Sequence, residues 1–293
     1  MKVGVIGLGN MGLGMASHLQ SKQVEVMGLD VSVTAQQRAK EKGIQIATSL
    51  DEIVNQNDYL ILSLPKAGDV ETVCLGAEGI LSLARGKIYI IDTSTSTAEV
   101  SQKISRQAEE KSIAFIDAPV TGGPLGASSG TMTMFIGASD ANFNAVLPLL
   151  KLMSAEQILV GEVGAGNIVK IANNLLVAMH LLTMSEAVHM AEKAGIKPEK
   201  LILGVNKGSG RSAVSQVNYE KWILNNAFDS GFTMGLMRKD VQLAKDLLTQ
   251  LNLDLPVSNA AVSQWELSKN YLEDRQDFNK IVTLNSMMNK DKK

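Results

Sequence analysis

The feature that most constrains the fold is a glycine-rich hexapeptide between an apolar run and a helical pattern near the N-terminus. The apolar run is Val3–Ile6, and Gly7-Leu8-Gly9-Asn10-Met11-Gly12 follows it at once. Met11–Gln20 then has a helical pattern, and Asp30 ends the next apolar run, 18 residues beyond Gly12. A strand, a glycine-rich turn, a helix and a later acidic residue form the pattern of a βαβ unit that binds a dinucleotide.

The three glycines of the hexapeptide have separate physical roles in such a unit. Gly7 permits the tight turn, Gly9 lets the backbone approach a pyrophosphate, and Gly12 lets helix and strand pack closely. The helix N-terminus then offers amide groups and the positive end of its dipole to the phosphates. The expected cofactor-binding residues of this turn are Gly7, Leu8, Gly9, Asn10, Met11 and Gly12.

Asp30 predicts which dinucleotide is preferred. A carboxylate at this position accepts hydrogen bonds from a ribose 2′-hydroxyl and repels a 2′-phosphate. The next residues, Val31–Thr34, include no arginine, although Arg38 lies a helical turn or two further on. We therefore expect NAD as the preferred cofactor and NADP as a possible one.

The first 160 residues alternate apolar runs with amphipathic stretches. Short, doubly apolar strands separated by helices indicate a parallel sheet covered on both faces. Ser49-Leu50-Asp51-Glu52 has the spacing of a capping box and predicts the start of a short helix. Besides Val3–Ile6, the expected strands are Val24–Leu29, Tyr59–Leu64, Ile88–Asp92, Ala114–Asp117, Met132–Ile136 and Ile158–Val160.

The chain changes character after about residue 162. Ala165–Ala194 predicts one long helix, which Gly195 and Pro198 end. Further helices are expected at Pro198–Val205, Ser215–Asn225, Arg238–Leu251, Val257–Lys269 and Phe278–Met288. The predicted fold class is α/β: an N-terminal Rossmann-type doubly wound domain (1–162), a long interdomain helix and an all-helical C-terminal domain for substrate binding and oligomerisation (163–293).

Composition narrows the range of partners. The net charge of −2 gives no reason to expect nucleic acid or an anionic membrane as a partner. The single cysteine, Cys74, cannot form an internal disulfide, the apolar N-terminal run is too short for a signal peptide, and no stretch is expected to reach membrane-spanning length. We therefore expect a cytoplasmic protein with no membrane contact. No Cys/His cluster has zinc-ligand spacing, so no metal is expected.

One face of the long helix carries polar side chains among apolar ones. At roughly 100° per residue, Asn173 lies about 60° to one side of Lys170 and Asn174 about 40° to the other. Desolvation lowers the pKa of a lysine in apolar surroundings and so makes it a useful proton donor and acceptor. The alternative, a surface lysine beside two solvated asparagines, stays open on periodicity alone.

A third motif, Asp117-Ala118-Pro119-Val120-Thr121-Gly122-Gly123-Pro124, follows a predicted strand. Its Thr-Gly-Gly segment would expose a hydroxyl and backbone amides at the carboxyl end of the strand, where open α/β sheets place their ligands. A carboxylate would fit such a cradle. Taken alone, the segment is also compatible with a simple turn.

Together these motifs resemble the β-hydroxyacid dehydrogenase family, which includes 3-hydroxyisobutyrate dehydrogenase and tartronate semialdehyde reductase. The motifs occur in the family's order between Val3 and about Val282. The resemblance implies hydride transfer between a nicotinamide and a short hydroxyacid or its semialdehyde. It implies a small carboxylate substrate and a homodimer or homotetramer.

The resemblance also assigns residues. Gly164–Asn174 matches the family's Gly-x-Gly-x-x-x-Lys-x-x-Asn-Asn motif, which implies Lys170 as the acid/base and Asn174 as a substrate ligand, with Asn173 nearby. Thr121, Gly122 and Gly123 match a substrate-binding motif in which serine usually stands at the threonine position. The further cofactor-binding positions that it implies are Leu64, Pro65, Thr95 and Lys239.

Three other functions share this pattern. An imine reductase is expected to carry a carboxylate or tyrosine where this chain has Lys170. A 6-phosphogluconate-type decarboxylating enzyme is expected to be longer and to have a basic phosphate pocket. A non-catalytic dinucleotide-binding module would have no need of the Lys170–Asn174 face, so turnover of any hydroxyacid separates it from an enzyme.

Overall fold

The computed structural model describes residues 1–290; residues 291–293, which end the predicted C-terminal domain, lie outside the described residues. The strands of the described chain are β1 (Lys2–Ile6), β2 (Glu25–Leu29), β3 (Gln45–Ile46), β4 (Tyr59–Leu62), β5 (Tyr89–Asp92), β6 (Ala114–Asp117), β7 (Val120–Thr121), β8 (Met132–Gly137) and β9 (Ser154–Gly161). The α-helices are α1 (Asn10–Ser21), α2 (Val33–Glu41), α3 (Leu50–Gln56), α4 (Ala67–Leu75), α5 (Ile80–Leu83), α6 (Ala98–Glu109), α7 (Gly123–Ser129), α8 (Asp140–Met153), α9 (Ala165–Lys193), α10 (Pro198–Lys207), α11 (Met234–Gln250), α12 (Pro256–Leu267) and α13 (Leu284–Lys290).

The chain forms two compact units, Met1–Lys170 and Ile171–Lys293. The division at residues 162 and 163 that the sequence suggests stays a prediction. The first unit contains the sheet and the second is helical, as the predicted α/β fold class requires.

The sheet has the order β3-β2-β1-β4-β5-β6-β8-β7, and β9 pairs with β8. Neighbouring strands from β3 to β6 are parallel. The prediction of a parallel sheet is wrong at its far end, because β8 runs antiparallel to both β6 and β7. Between β1 and β4 the strand order reverses, and ligands of open α/β sheets bind at such a switch point.

Alternate residues of the central strands face opposite layers of helices. Ile61 of β4 packs into one apolar cluster, whereas Leu60 and Leu62 pack into a second. All three side chains are fully buried. Burial on both faces is why these strands are continuously apolar.

The helical unit has its own core around Trp265, which is fully buried and donates from Nε1 to the Ala178 carbonyl at 3.2 Å. One element differs from its prediction: Val214–Ile223 is a π-helix, where an α-helix was expected over Ser215–Asn225. Phe278–Thr283 is a 3₁₀-helix ahead of α13.

Helix α9 corrects one expectation. Over its 29 residues it is long and apolar enough to cross a membrane by length and composition, with a mean hydropathy of 1.4 in its most apolar window. The expectation that no stretch reaches that length is therefore wrong. The core helix of a soluble protein also meets this criterion; here 39% of the window is buried, and Ala178 and Leu181 of α9 are fully buried in the core of the helical unit.

Candidate active site

The turn after β1 lies at the switch point of the sheet. Gly7 has a φ of +93°, which favours glycine, and a Cβ there would collide with the carbonyl oxygen of Ser63. A Cβ on Gly12 would collide with the carbonyl oxygen of Gly7. Helix and strand therefore approach each other as closely as the fingerprint predicts.

Gly9 differs from these two glycines. Nothing lies within 4 Å of the position that its Cβ would take. It is also the N-cap residue of α1, and no side chain caps that helix. Open space beside uncapped first-turn amides fits the pyrophosphate of a dinucleotide, so the residues of this turn fit the predicted cofactor.

Asp30 lies at the carboxyl end of β2, next to the same turn. Its Oδ2 accepts from the Leu8 amide at 2.6 Å, and its Oδ1 accepts from the Ser32 amide at 2.7 Å. The backbone amide of Leu8 therefore has its hydrogen-bond acceptor within the chain, and the Leu8 side chain is fully buried. The carboxylate is half-buried and held in a fixed orientation, as a ribose ligand requires.

The other predicted cofactor segments follow β4 and β5, the neighbouring strands. Leu64 donates its amide to Ser94 Oγ at 2.9 Å, and Ser94 donates its own amide to Asp92 Oδ1 at 3.0 Å. Pro65 is exposed and Thr95 is half-buried. Ser94 is buried and connects the two segments, although it is not among the residues predicted from the sequence.

The predicted carboxylate cradle lies beyond β6. Thr121 pairs with Thr133 of β8, and Gly122 and Gly123 have φ values of +121° and +63°. Helix α7 begins at Gly123 with a proline in its first turn. The segment is thus a strand end and a left-handed turn that leads into a helix, with Thr121 half-buried and Gly122 exposed.

Two buried residues that sequence analysis did not assign connect these segments. Asp117 ends β6, and Asn167 lies in the first turn of α9; both are fully buried. Asp117 Oδ1 accepts from the Gly164 amide at 2.7 Å, and Oδ2 accepts from the Asn167 amide at 2.9 Å. Burial raises the pKa of Asp117 to about 6, against the lowering effect of these donors.

Lys170 lies on α9 one turn after this anchored start and is only 8% exposed. The alternative of a surface lysine is therefore wrong. Because α9 is continuous, Asn174 lies one turn further along the same side of the helix and is 5% exposed. Asn173 is half-buried.

Within the helical unit, hydrogen bonds fix the Asn174 amide. Its Nδ2 donates to Asp240 Oδ2 at 2.5 Å, and its Oδ1 accepts from Asn173 Nδ2 at 3.1 Å. Lys239, predicted at the cofactor, forms an ion pair with Asp240 Oδ1 at 3.1 Å. Asp240 is 2% exposed and, like Asp117 and Asn167, is not among the residues predicted from the sequence.

Among residues 1–290 no group of three or more His, Cys, Asp or Glu side chains is placed to hold a metal ion. The expectation that the protein needs no metal stays a prediction.

Two family models match consecutive parts of the chain. The model described as the NAD binding domain of 6-phosphogluconate dehydrogenase matches residues 2–164. The model described as the NAD-binding part of NADP-dependent 3-hydroxyisobutyrate dehydrogenase matches residues 164–285. Both descriptions indicate a nicotinamide dinucleotide as the cofactor.

Known proteins match over nearly the whole chain. The 2-(hydroxymethyl)glutarate dehydrogenase of Eubacterium barkeri is 35% identical over 96% of this chain and 94% of its own length. The mitochondrial 3-hydroxyisobutyrate dehydrogenase of Mus musculus is 32% identical, with coverages of 95% and 85%. The solved structure of Mycobacterium tuberculosis 3-hydroxyisobutyrate dehydrogenase with L-serine is 28% identical, has a TM-score of 0.87 and covers 96% of this chain and 97% of that one.

Fold, motifs and matches agree that this is a dinucleotide-binding protein of the dehydrogenase type. The chain belongs to the β-hydroxyacid dehydrogenase family, which confirms the resemblance found in the sequence.

Proposed function

We propose that this chain is an NAD(P)-dependent oxidoreductase that converts a short β-hydroxyacid to its semialdehyde, or catalyses the reverse reduction. The observation that carries the proposal is the burial of Lys170 one helical turn before the buried Asn174. Lysine is rarely buried in a folded protein, because removing its ammonium group from water costs free energy. A buried lysine on one helix with a buried asparagine provides the residue types that proton transfer and substrate positioning need. The names of the similar dehydrogenases support the same class of reaction.

The substrate class follows from what the relatives' names share. 3-Hydroxyisobutyrate, 2-(hydroxymethyl)glutarate and L-serine all have a hydroxymethyl group and a carboxylate on one carbon. We therefore propose a 2-substituted 3-hydroxypropionate as the substrate. Its oxidation transfers a hydride from the hydroxymethyl carbon and releases the hydroxyl proton.

Each predicted residue has a part in this proposal. The bound nicotinamide cofactor supplies or accepts the hydride. Lys170 Nζ accepts the hydroxyl proton in oxidation and returns it to the carbonyl oxygen in reduction. The segment Thr121–Gly123 binds the carboxylate, and Asn174, oriented by Asp240, directs the hydroxyl group.

Asp30 supports NAD as the preferred cofactor. Its fixed carboxylate suits the two hydroxyls of an adenosine ribose and repels a 2′-phosphate. Comparing turnover with NAD and with NADP measures this preference, and an equal kcat/KM with the two cofactors would contradict it.

The test is the formation of NADH with a panel of hydroxyacids that includes 3-hydroxyisobutyrate and 2-(hydroxymethyl)glutarate. Lys170→Ala is expected to abolish turnover while NADH still binds, because the proton acceptor is lost and the cofactor turn is not. Lys170→Arg, which keeps the positive charge but cannot release a proton near neutral pH, is the matched control and is expected to be equally inactive.

Near-normal activity of Lys170→Ala would refute the role of Lys170. If the wild-type protein binds NADH but turns over no member of the panel, a non-catalytic dinucleotide-binding module becomes the better interpretation. Reduction of a cyclic imine in place of a semialdehyde would favour the imine reductase.

We also propose a cytoplasmic homodimer or homotetramer. Leu176 and Met190 of α9 are 52% and 69% exposed, and apolar side chains of this size are favourable to cover. Light scattering of the purified protein measures the assembly, and a monomeric mass would contradict it.

A further inference from the structure

The N-terminus of α9 has an internal anion. The first amides of a helix lack partners within the helix, and its dipole favours a negative charge there. Asp117 supplies that charge from the end of β6, with its two carboxylate oxygens accepting from the amides of Gly164 and Asn167. Those donors lie 47 and 50 residues further along the chain.

Glycines make room for this carboxylate. A Cβ on Gly137 would collide with Asp117 Oδ1, and a Cβ on Gly166 would lie 2.9 Å from Oδ2 and collide with the Phe135 carbonyl. Gly164 has a φ of +100°. The Gly-x-Gly that precedes Lys170 therefore resembles an anion-binding turn whose ligand is the protein's own aspartate.

Asn167 extends the contact to the cofactor side of the sheet. Its Oδ1 accepts from the Ser96 amide at 2.8 Å, next to the predicted cofactor residue Thr95. Its Nδ2 donates to Ser101 Oγ at 3.1 Å and lies 3.4 Å from Asp117 Oδ2. Asp117 itself lies four residues before Thr121, the first residue of the proposed carboxylate cradle.

We propose that Asp117 and Asn167 are a pair of positioning residues that fix the first turn of α9 and thereby the place of Lys170. Lys170 is three residues after Asn167, on the adjacent turn of the same side of the helix. The pair joins the cofactor, substrate and acid/base segments of the first unit by buried hydrogen bonds, without either residue entering the reaction. This inference rests on the proposed function for its catalytic consequence.

The test compares Asp117→Asn with the wild-type holoenzyme. The asparagine keeps the shape but has one acceptor oxygen for two helix amides. We expect kcat to fall by about tenfold to a hundredfold, since small misplacements of a catalytic group have effects of this size. NADH affinity is expected to stay unchanged, and the primary deuterium isotope effect on kcat, with substrate labelled at the hydroxymethyl carbon, is expected to rise because the chemical step becomes slower.

Hydrogen exchange of the peptide that covers residues 164–170 gives a readout without substrate, and exchange there is expected to accelerate in Asp117→Asn. Asn167→Ala keeps the carboxylate and the backbone bonds and is expected to lower kcat as well, so it serves if Asp117→Asn fails to fold. Ser101→Ala, which removes a fully buried hydroxyl from Asn167 but leaves Asp117 its donors, is the control and is expected to keep the wild-type kcat and isotope effect.

A folded Asp117→Asn protein with the wild-type kcat and isotope effect would overturn the proposal, as would unchanged exchange at residues 164–170. A lower kcat with an unchanged isotope effect and unchanged KM would also overturn it, because that is the result of a smaller active fraction. If the wild-type protein turns over no substrate, the proposed function fails, whereas the exchange comparison still decides whether Asp117 anchors the helix.

Discussion

The glycines of the first turn show how one residue type meets different physical demands. Gly12 is required by its own chain, because any side chain there would collide with the Gly7 backbone. Gly9 has open space where a Cβ would be, so the folded chain alone does not require glycine there. A ligand that approaches the backbone closely gives a reason for glycine at this position.

This difference predicts opposite effects of two alanine substitutions. Gly9→Ala is expected to leave the melting temperature unchanged and to weaken NADH binding, because its methyl group takes space intended for the pyrophosphate. Gly12→Ala is expected to lower the melting temperature, because helix and strand must separate. Thermal unfolding and NADH fluorescence titration of both variants measure this, and unimpaired NADH binding by Gly9→Ala would contradict the assigned cofactor turn.

At this scale the sequence predicts residues whose partners are local. The hexapeptide and Asp30 are predicted from their spacing within one βαβ unit, whereas the role of Lys170 is implied by the family motif, since helical periodicity alone leaves a surface lysine open. Asp117 and Asp240 were missed because their partners lie far along the chain: Gly164 is 47 residues from Asp117, and Asn174 is 66 from Asp240. No local periodicity encodes such pairings.

Helix starts are well encoded by local chemistry. Ser49 was predicted to begin a helix, and its Oγ accepts from the Glu52 amide at 3.1 Å. The reciprocal contact differs from a standard capping box, since Glu52 accepts from the Thr48 amide at 2.7 Å and not from that of Ser49. The Glu52 side chain therefore closes a turn that is one residue wider than that of a standard capping box.

Loss of the N-cap hydrogen bond to Ser49 is expected to lower the stability of the protein modestly. Ser49→Ala is expected to lower the free energy of unfolding by about 1 kcal/mol, because it leaves a helix amide without its acceptor. Ser49→Asp keeps an acceptor and serves as the matched control. Urea unfolding of both variants gives the values, and equal losses in the two would show that the hydrogen bond is not the cause.

Strand direction and helix type are less well encoded than helix starts. The apolar pattern of β8 predicts a strand but not that it runs antiparallel to β6. The residues Val214–Ile223 predict a helix but not its type, because a π-helix differs from an α-helix in which backbone carbonyl each amide reaches, i→i+5 in place of i→i+4. Strands β3 and β7 have two residues each, too few for a period to be recognised.

The titration of Asp117 predicts how the free energy of unfolding of the whole protein changes with pH. Its pKa is raised from 3.8 to about 6 by burial in the folded protein, so between these values the folded state binds the proton more tightly than the unfolded chain. The contribution of Asp117 to the free energy of unfolding is therefore fully present below about pH 4 and is lost as the pH rises through about 6. The loss amounts to about 3 kcal/mol at 1.36 kcal/mol per pKa unit.

Unfolding free energies of the wild-type and Asp117→Asn proteins, measured from pH 4 to 7, isolate this contribution, because the other carboxylates are common to both. As the pH rises, the free energy of unfolding of the wild-type protein is expected to fall relative to that of Asp117→Asn. A difference independent of pH would mean that Asp117 has the same pKa in the folded and unfolded states.

The carboxylate at the start of α9 makes that helix end insensitive to dissolved anions. A group tethered within the chain has an effective concentration on the order of millimolar or higher at its site, and Asp117 is held there by the fold itself. Inorganic phosphate therefore competes poorly at Gly164, whereas the open turn at Gly9 stays accessible to it. Inhibition by phosphate buffer would thus report on the occupancy of the Gly9 turn, and salt titrations can follow cofactor binding there without disturbing the segment that holds Lys170.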